Sequence, residues 1–140
     1  MGPTKDLDGK RTAMKHKILV VDDNPDSVAI MRGILESRGY EVASATCGAE
    51  ALEYLRQQKV DLVLLDVMMP EMSGIEVLQG IKKNAATGHL PVILVTAKTQ
   101  DEDLLSGYHC GADYYITKPF TGKQLIYGIE LILGKGESGA

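Results

Sequence analysis

Aromatic residues, cysteines and long apolar runs are all scarce in this sequence. Its 140 residues include one Phe, no Trp and two Cys, so the core must be built mainly from aliphatic side chains. The most apolar stretch, residues 60–69, is interrupted by Asp61 and Asp66 and falls short of the roughly 20 residues that a membrane-spanning helix needs. Residues 1–17 lack the apolar run of a secretory signal. We therefore expect a soluble, cytoplasmic chain.

The sequence also has little excess charge. Its 15 Lys and Arg residues oppose 19 Asp and Glu residues, for a net charge of -4, and this balance gives no basic footprint for DNA or RNA. Cys47 and Cys110 fit no metal-binding or redox spacing. We expect two unpaired thiols, with a disulfide as the alternative, and no direct binding to nucleic acid.

Length and composition fit a single domain, because 140 residues with 44% hydrophobic content can bury one core. We predict three parts: a flexible arm over residues 1–16, a folded domain over 17–133 and a flexible tail over 134–140. The first part shows no apolar periodicity and the last is rich in glycine. The arm is either a natural tail or a leader added before an original start at Met14.

Five short segments have the composition of β-strands. Residues 18–21, 62–65 and 92–95 are continuous apolar runs, typical of strands that are buried on both faces of a parallel sheet. Residues 42–46 and 114–117 mix apolar and polar side chains, which favours positions nearer the edges of the sheet. The first, third and fourth strands are therefore predicted to form its centre.

Apolar residues recur at helical spacing between and after these segments. The clear stripes consist of Val28, Met31, Ile34 and Leu35; of Leu52 and Leu55; of Ile75, Leu78 and Ile81; and of Leu125, Ile129, Ile132 and Leu133. Residues 100–110 form the least clear helix. Five strands each followed by a helix predict an α/β fold, a doubly wound (βα)5 three-layer sandwich around one parallel sheet. Its ligand crevice would lie at the carboxyl ends of the strands.

Polar residues follow four of the five predicted strands. Asp22 and Asp23 come after the first strand, Asp66 after the third, Thr96 after the fourth and Lys118 after the fifth. Carboxylates that are 4 Å apart repel one another by about 4 kcal/mol per pair at an effective dielectric constant of about 20. Lys118 supplies one counter-charge, and an all-oxygen site without His or Cys favours Mg2+ or Mn2+ over zinc.

Each of these residues also has an ordinary structural explanation. Asp22 and Asp23, with Asn24, would complement the start of a helix. Thr96 would bond to nearby backbone, and Lys118 would point into solvent. Their joint occurrence at one edge of the sheet favours a functional site. The isomer of the bond between Lys118 and the proline after it stays open.

Together, the motifs resemble the receiver domain of bacterial two-component response regulators, a CheY-like domain. The resemblance covers residues 17–133, and it rests on the motifs Val20-Val21-Asp22-Asp23, Leu64-Leu65-Asp66 with Met69-Pro70 and Ser73-Gly74, Val95-Thr96-Ala97, and Lys118-Pro119-Phe120. It implies a flavodoxin-like fold whose five-stranded parallel sheet has the order 2-1-3-4-5.

The resemblance also implies a phosphorelay reaction. Asp66 would be the phosphoacceptor, taking a phosphoryl group from the phosphohistidine of a sensor histidine kinase or a phosphotransfer protein. Asp22, Asp23, Asp66 and the backbone carbonyl of Met68 would hold Mg2+. Phosphoryl transfer needs an acceptor held in line and neutralisation of the charge on the phosphoryl oxygens, to which Lys118 would contribute.

A switch is the second implication of the resemblance. Thr96 would donate a hydrogen bond to the new phosphoryl group, and Tyr115 would then rotate inward. These movements would change an output surface formed by the fourth helix, fifth strand and fifth helix, where a downstream effector, an output domain or a second copy of the chain would bind. Ordinary packing of a half-buried aromatic residue on an edge strand is the alternative for Tyr115.

Three other functions fit parts of the pattern less well. A phosphatase of the haloacid dehalogenase type also forms an aspartyl phosphate, but it should carry an Asp-x-Asp motif after its first strand. An FMN carrier on the same fold needs an anion cradle there, which Asp22 and Asp23 would oppose. A phosphorylation-independent interaction domain remains a further alternative. We expect a phosphoacceptor signalling domain that assists its own phosphorylation and dephosphorylation, not an enzyme.

Overall fold

A parallel five-stranded sheet forms the centre of the structure. The structure is a computed structural model that describes residues 15–67, 69, 72–96 and 111–134. The strands pair in parallel in the order β2-β1-β3-β4-β5, which confirms the expected order. Their bounds are Lys17–Val21 for β1, Glu41–Ala45 for β2, Leu62–Asp66 for β3, Val92–Thr96 for β4 and Tyr114–Thr117 for β5.

The burial of the strands matches their predicted places in the sheet. Every residue of β3 and β4 is buried, and so is every residue of β1 after Lys17. The edge strands β2 and β5 bury one residue each, Ala45 and Ile116. A central strand meets helices on both faces and neighbours on both sides, so its sequence must be apolar throughout.

Four helices are present among the described residues. They are Pro25–Ser37 (α1), Gly48–Gln57 (α2), Gly74–Lys83 (α3) and Gly122–Leu133 (α4). Each coincides with one of the clear apolar stripes. Side chains cap three of them: the Asn24 carboxamide begins α1, and capping boxes begin α3 at Ser73 and α4 at Thr121.

Two apolar clusters separate the helices into two layers. Leu19 and Val21 of β1 face the cluster that contains residues of α2 and α3, whereas Ile18 and Val20 face the one that contains residues of α1 and α4. Successive side chains of a strand point to opposite faces of the sheet, so one continuous apolar run fills both layers. The result is the predicted three-layer sandwich.

Several predicted segments fall outside the described residues. They are the helix predicted over residues 100–110, all but Lys15 and His16 of the N-terminal arm, and all but Gly134 of the C-terminal tail. Cys47 is an exposed free thiol, and Cys110 is not described. Within the described ranges, every helix is too short or too polar to cross a bilayer.

Candidate functional site

Three carboxylates converge where β1 and β3 end. One oxygen each of Asp22, Asp23 and Asp66 lies within 4.8 Å of the others. The pairing register accounts for this, because Val21 of β1 lies beside Leu65 of β3 and the next residue on each strand carries a carboxylate. Asp22 is 0% exposed and Asp66 6%, whereas Asp23 is exposed.

Lys118 brings a positive charge into this cluster from the segment after β5. Its Nζ donates to Oδ2 of Asp22 at 2.8 Å, and its backbone N–H donates to the carbonyl oxygen of Thr96 at 2.7 Å. The bond between Lys118 and Pro119 is cis. Among the described residues, one ammonium contacts this group of three carboxylates, and an excess of negative charge there would favour a further cation.

Backbone hydrogen bonds fix both the main chain and the side chain of Asp22. Its backbone N–H donates to the carbonyl of Ala45 at 3.1 Å, and its Oδ1 accepts from the backbone N–H of Asn24 at 2.9 Å. Asn24 in turn caps α1, accepting from the N–H groups of Asp26 and Ser27. The expected capping role thus belongs to Asn24, and it coexists with the acid cluster.

Thr96 carries a buried hydroxyl at the end of β4. The residue is 1% exposed, and its Oγ1 has no hydrogen-bond partner among the described residues. Its neighbour Val95 lies beside Asp66 in the β3–β4 register, so Thr96 is one residue further toward the carboxyl edge. A buried hydroxyl without a partner costs about 1–3 kcal/mol, and a phosphoryl oxygen bound at this edge would provide an acceptor.

Two further residues were predicted to take part in the site, Tyr115 and Met68. Tyr115 lies on the edge strand β5 beside Leu94. It packs against the core cluster of α2 and α3, and its hydroxyl oxygen is buried. Met68, whose backbone carbonyl was the remaining predicted metal ligand, lies outside the described residues.

Gly74 brings the start of α3 against the backbone of Asp66. Its N–H donates to the carbonyl of Val67 at 2.9 Å, and a Cβ built on it would lie 2.3 Å from the carbonyl oxygen of Asp66. No side chain fits at that distance, so glycine is required. The sequence contained Gly74 in a motif, but its physical role depends on this approach between two backbones.

The side chains present fit a hard divalent cation. Asp22, Asp23 and Asp66 offer carboxylate oxygens, the ligands that Mg2+ and Mn2+ prefer. Neither His nor Cys contributes to this group within the described part of the chain, so its chemistry does not favour zinc.

The sequence and structure comparisons with known proteins agree on one family. A sequence profile described as "Response regulator receiver domain" matches residues 18–130. A solved structure described as a CheY-like response regulator receiver domain protein from Methanospirillum hungatei superimposes with a TM-score of 0.81 at 31% identity, covering 90% of this chain and 99% of that one.

Curated relatives are similar over most of this chain. A Vibrio cholerae protein named as a probable cyclic di-GMP phosphodiesterase is 49% identical over 102 residues, which are 73% of this chain and 23% of that protein. The alkaline phosphatase synthesis transcriptional regulatory protein PhoP of Bacillus subtilis is 39% identical over 127 residues, or 91% and 52% of the two chains. This chain therefore spans a quarter to a half of these two relatives.

Replacing Gly74 by alanine tests how the loop after β3 is held. We expect Gly74→Ala to lower the free energy of unfolding by about 1–3 kcal/mol, because the new methyl group collides with the Asp66 backbone. Urea denaturation followed by circular dichroism measures the change.

Gly33→Ala is the matched control, because a Cβ at this position in α1 meets no atom within 4 Å. It should raise the free energy of unfolding by about 0.5–1 kcal/mol through helix propensity. Equal effects of the two substitutions would contradict the role assigned to Gly74.

Proposed function

This chain belongs to the response regulator receiver domain family, and on that premise we propose that it accepts a phosphoryl group on Asp66. The donor is the phosphohistidine of a histidine kinase or a phosphotransfer protein. The observation that carries the proposal is the convergence of Asp22, Asp23 and Asp66 within 4.8 Å, with Lys118 Nζ 2.8 Å from Asp22. Phosphoryl transfer depends on such positioned charges more than on covalent chemistry by the protein.

In the proposed reaction, a carboxylate oxygen of Asp66 attacks the phosphorus atom of the phosphohistidine. An O–P bond forms, the P–N bond breaks, and the imidazole leaves with the electron pair and takes up a proton. The Lys118 ammonium and the Thr96 hydroxyl are the chain's own donors to the phosphoryl oxygens. Both lie at the carboxyl edge of the sheet, where they would stabilise the negative charge on the phosphoryl oxygens during transfer to Asp66.

Asp22, Asp23 and Asp66 would hold the metal ion, together with the backbone carbonyl of Met68. Mg2+, or Mn2+ in its place, would neutralise phosphoryl charge and keep the group aligned with Asp66. The mutual repulsion of the carboxylates disfavours the site without a cation, and binding one would relieve that repulsion.

Thr96 and Tyr115 would form the switch that reports phosphorylation. The Thr96 hydroxyl lacks a partner among the described residues, so a phosphoryl oxygen would draw it toward Asp66 and pull on the residues that follow Thr96. Tyr115 lies on the neighbouring strand β5. Its movement would change the output surface formed by the helix predicted over residues 100–110, β5 and α4. An effector, an output domain or a second copy of the chain would bind there. Because the proposed donor is a histidine kinase, we expect the protein to act in the cytoplasm.

The alternative of a haloacid dehalogenase-type phosphatase gains no support from the site. Asp22 and Asp23 are adjacent in sequence, and Asp66, the proposed acceptor, ends the third strand instead of following the first. The family match also favours a receiver.

Intact mass spectrometry tests the acceptor. With Mg2+ and phosphoramidate, the protein should gain the mass of one phosphoryl group, and mild base should remove it. Asp66→Asn should show no gain, whereas the matched change Asp61→Asn, at an exposed acid before β3, should keep it. Full modification of Asp66→Asn would refute the assignment.

Thermodynamic linkage tests the metal site. Mg2+ at about ten times its dissociation constant should raise the free energy of unfolding by about 1.4 kcal/mol, because it binds only the folded chain. Asp23→Asn should abolish this gain at the same Mg2+ concentration, since the group it removes is an exposed ligand. Asp26→Asn, at an exposed acid of α1 outside the cluster, should keep the gain, and denaturant titrations measure all three proteins. A gain retained by Asp23→Asn would contradict the site.

Removing the ammonium separates modification from signalling. Lys118→Ala should fold and still accept a phosphoryl group, more slowly because one donor to the phosphoryl oxygens is lost, but amide chemical shifts of β5 and α4 should no longer respond to phosphorylation. Lys83→Ala, at an exposed lysine that ends α3, should respond like the unmodified sequence. A normal response of Lys118→Ala would contradict the proposed coupling.

A further inference from the structure

We propose that Ser27 is a positioning residue that keeps the Lys118 ammonium inside the site when Asp22 binds a metal ion. The inference rests on the proposed function and extends it to a residue outside the motifs described above. Ser27 lies in the first turn of α1, and its Oγ is 3.4 Å from Nζ of Lys118.

The bonding of Asp22 shows why Lys118 needs a second acceptor. Oδ1 of Asp22 accepts from the backbone N–H of Asn24 at 2.9 Å, and Oδ2 accepts from Lys118 at 2.8 Å. Both oxygens are therefore already used, and a metal ion bound by Asp22 must share or take one of them. The same ion repels the ammonium, so metal binding weakens the 2.8 Å contact between Lys118 Nζ and Asp22.

Ser27 is suited to keep Lys118 in place. An ammonium group has three N–H donors, so it can bond to Ser27 and Asp22 at once. The Ser27 hydroxyl is neutral and is not one of the three carboxylates that would bind the metal, so it can still accept from Lys118 when Asp22 binds a metal ion. Its backbone is fixed, because the Ser27 N–H donates to Oδ1 of the capping Asn24 at 3.3 Å.

The surroundings of Lys118 indicate where its side chain would lie without the Ser27 hydroxyl. Its side chain is 21% exposed, whereas that of Asp22 is fully buried. A cleft of about 390 Å³ opens beside it, lined by Ser27, Ile30, Lys118, Pro119 and Phe120. Among these lining residues, Ser27 alone offers a side-chain acceptor, since the other three neighbours of Lys118 are apolar. Without its hydroxyl, Lys118 would extend through the cleft toward solvent.

Three variants separate this role from general effects on the helix. Ser27→Ala removes the acceptor, Ser27→Thr keeps a hydroxyl, and Ser37→Ala makes the same change at the exposed end of the same helix. The first readout needs no phosphodonor: it is the NMR relaxation of the Lys118 side chain in protein saturated with Mg2+. The second is the rate of modification by phosphoramidate at saturating Mg2+, and the third is Mg2+ affinity from calorimetry.

We expect Ser27→Ala to increase the mobility of the Lys118 side chain and to slow modification about 3- to 10-fold, the effect of one lost hydrogen bond. Its Mg2+ affinity should stay within about twofold of the original protein. Ser27→Thr should restore the rate and the order of Lys118, and Ser37→Ala should change neither.

Three outcomes would overturn the proposal: unchanged Lys118 relaxation in Ser27→Ala, a loss of Mg2+ affinity as large as the loss of rate, or an equal effect of Ser37→Ala. Failure of the proposed function is separately visible, because the original protein would then gain no phosphoryl group on Asp66. The relaxation measurement would still decide the role of Ser27 in that case.

Discussion

The repulsion among three carboxylates at the ends of β1 and β3 is the constraint to which the rest of the site responds. Asp22 is fully buried and Asp66 nearly so, in surroundings where an unpaired charge is costly. Lys118 offsets part of that cost through its contact with Asp22. Negative charge gathered in this way would favour a divalent cation, and the apolar sheet beneath keeps the groups in place.

The fold could be predicted largely from the distribution of apolar residues. β1, β3 and β4 are continuous apolar runs because helices cover both faces of a central strand, and the mixed composition of β2 and β5 follows from their edge positions. The order of the strands could not be predicted from the apolar residues, because right-handed crossovers allow more than one order. It came from the resemblance of the motifs to a known family, and the pairing in the structure confirms it.

The members of the site were predictable, but most of their contacts were not. Parallel strands place Asp22, Asp66 and Thr96 at one edge of the sheet, so the sequence predicted that the acids after β1 and at the end of β3 would lie close together, as they do. Which carboxylate Lys118 contacts depends on the path of the segment after β5, and the approach of Gly74 to Asp66 depends on how α3 docks. Both are set by tertiary packing, which leaves no periodic signal in the sequence.

We propose that Asp22, Asp23 and Asp66 form one divalent cation site beside Lys118. Crystals grown with Mn2+ and measured with anomalous X-ray scattering test it most directly, because the anomalous signal locates the ion independently of the protein atoms. We expect one strong peak in contact with oxygens of all three carboxylates. A peak elsewhere, or none at a concentration that saturates the protein in solution, would contradict it.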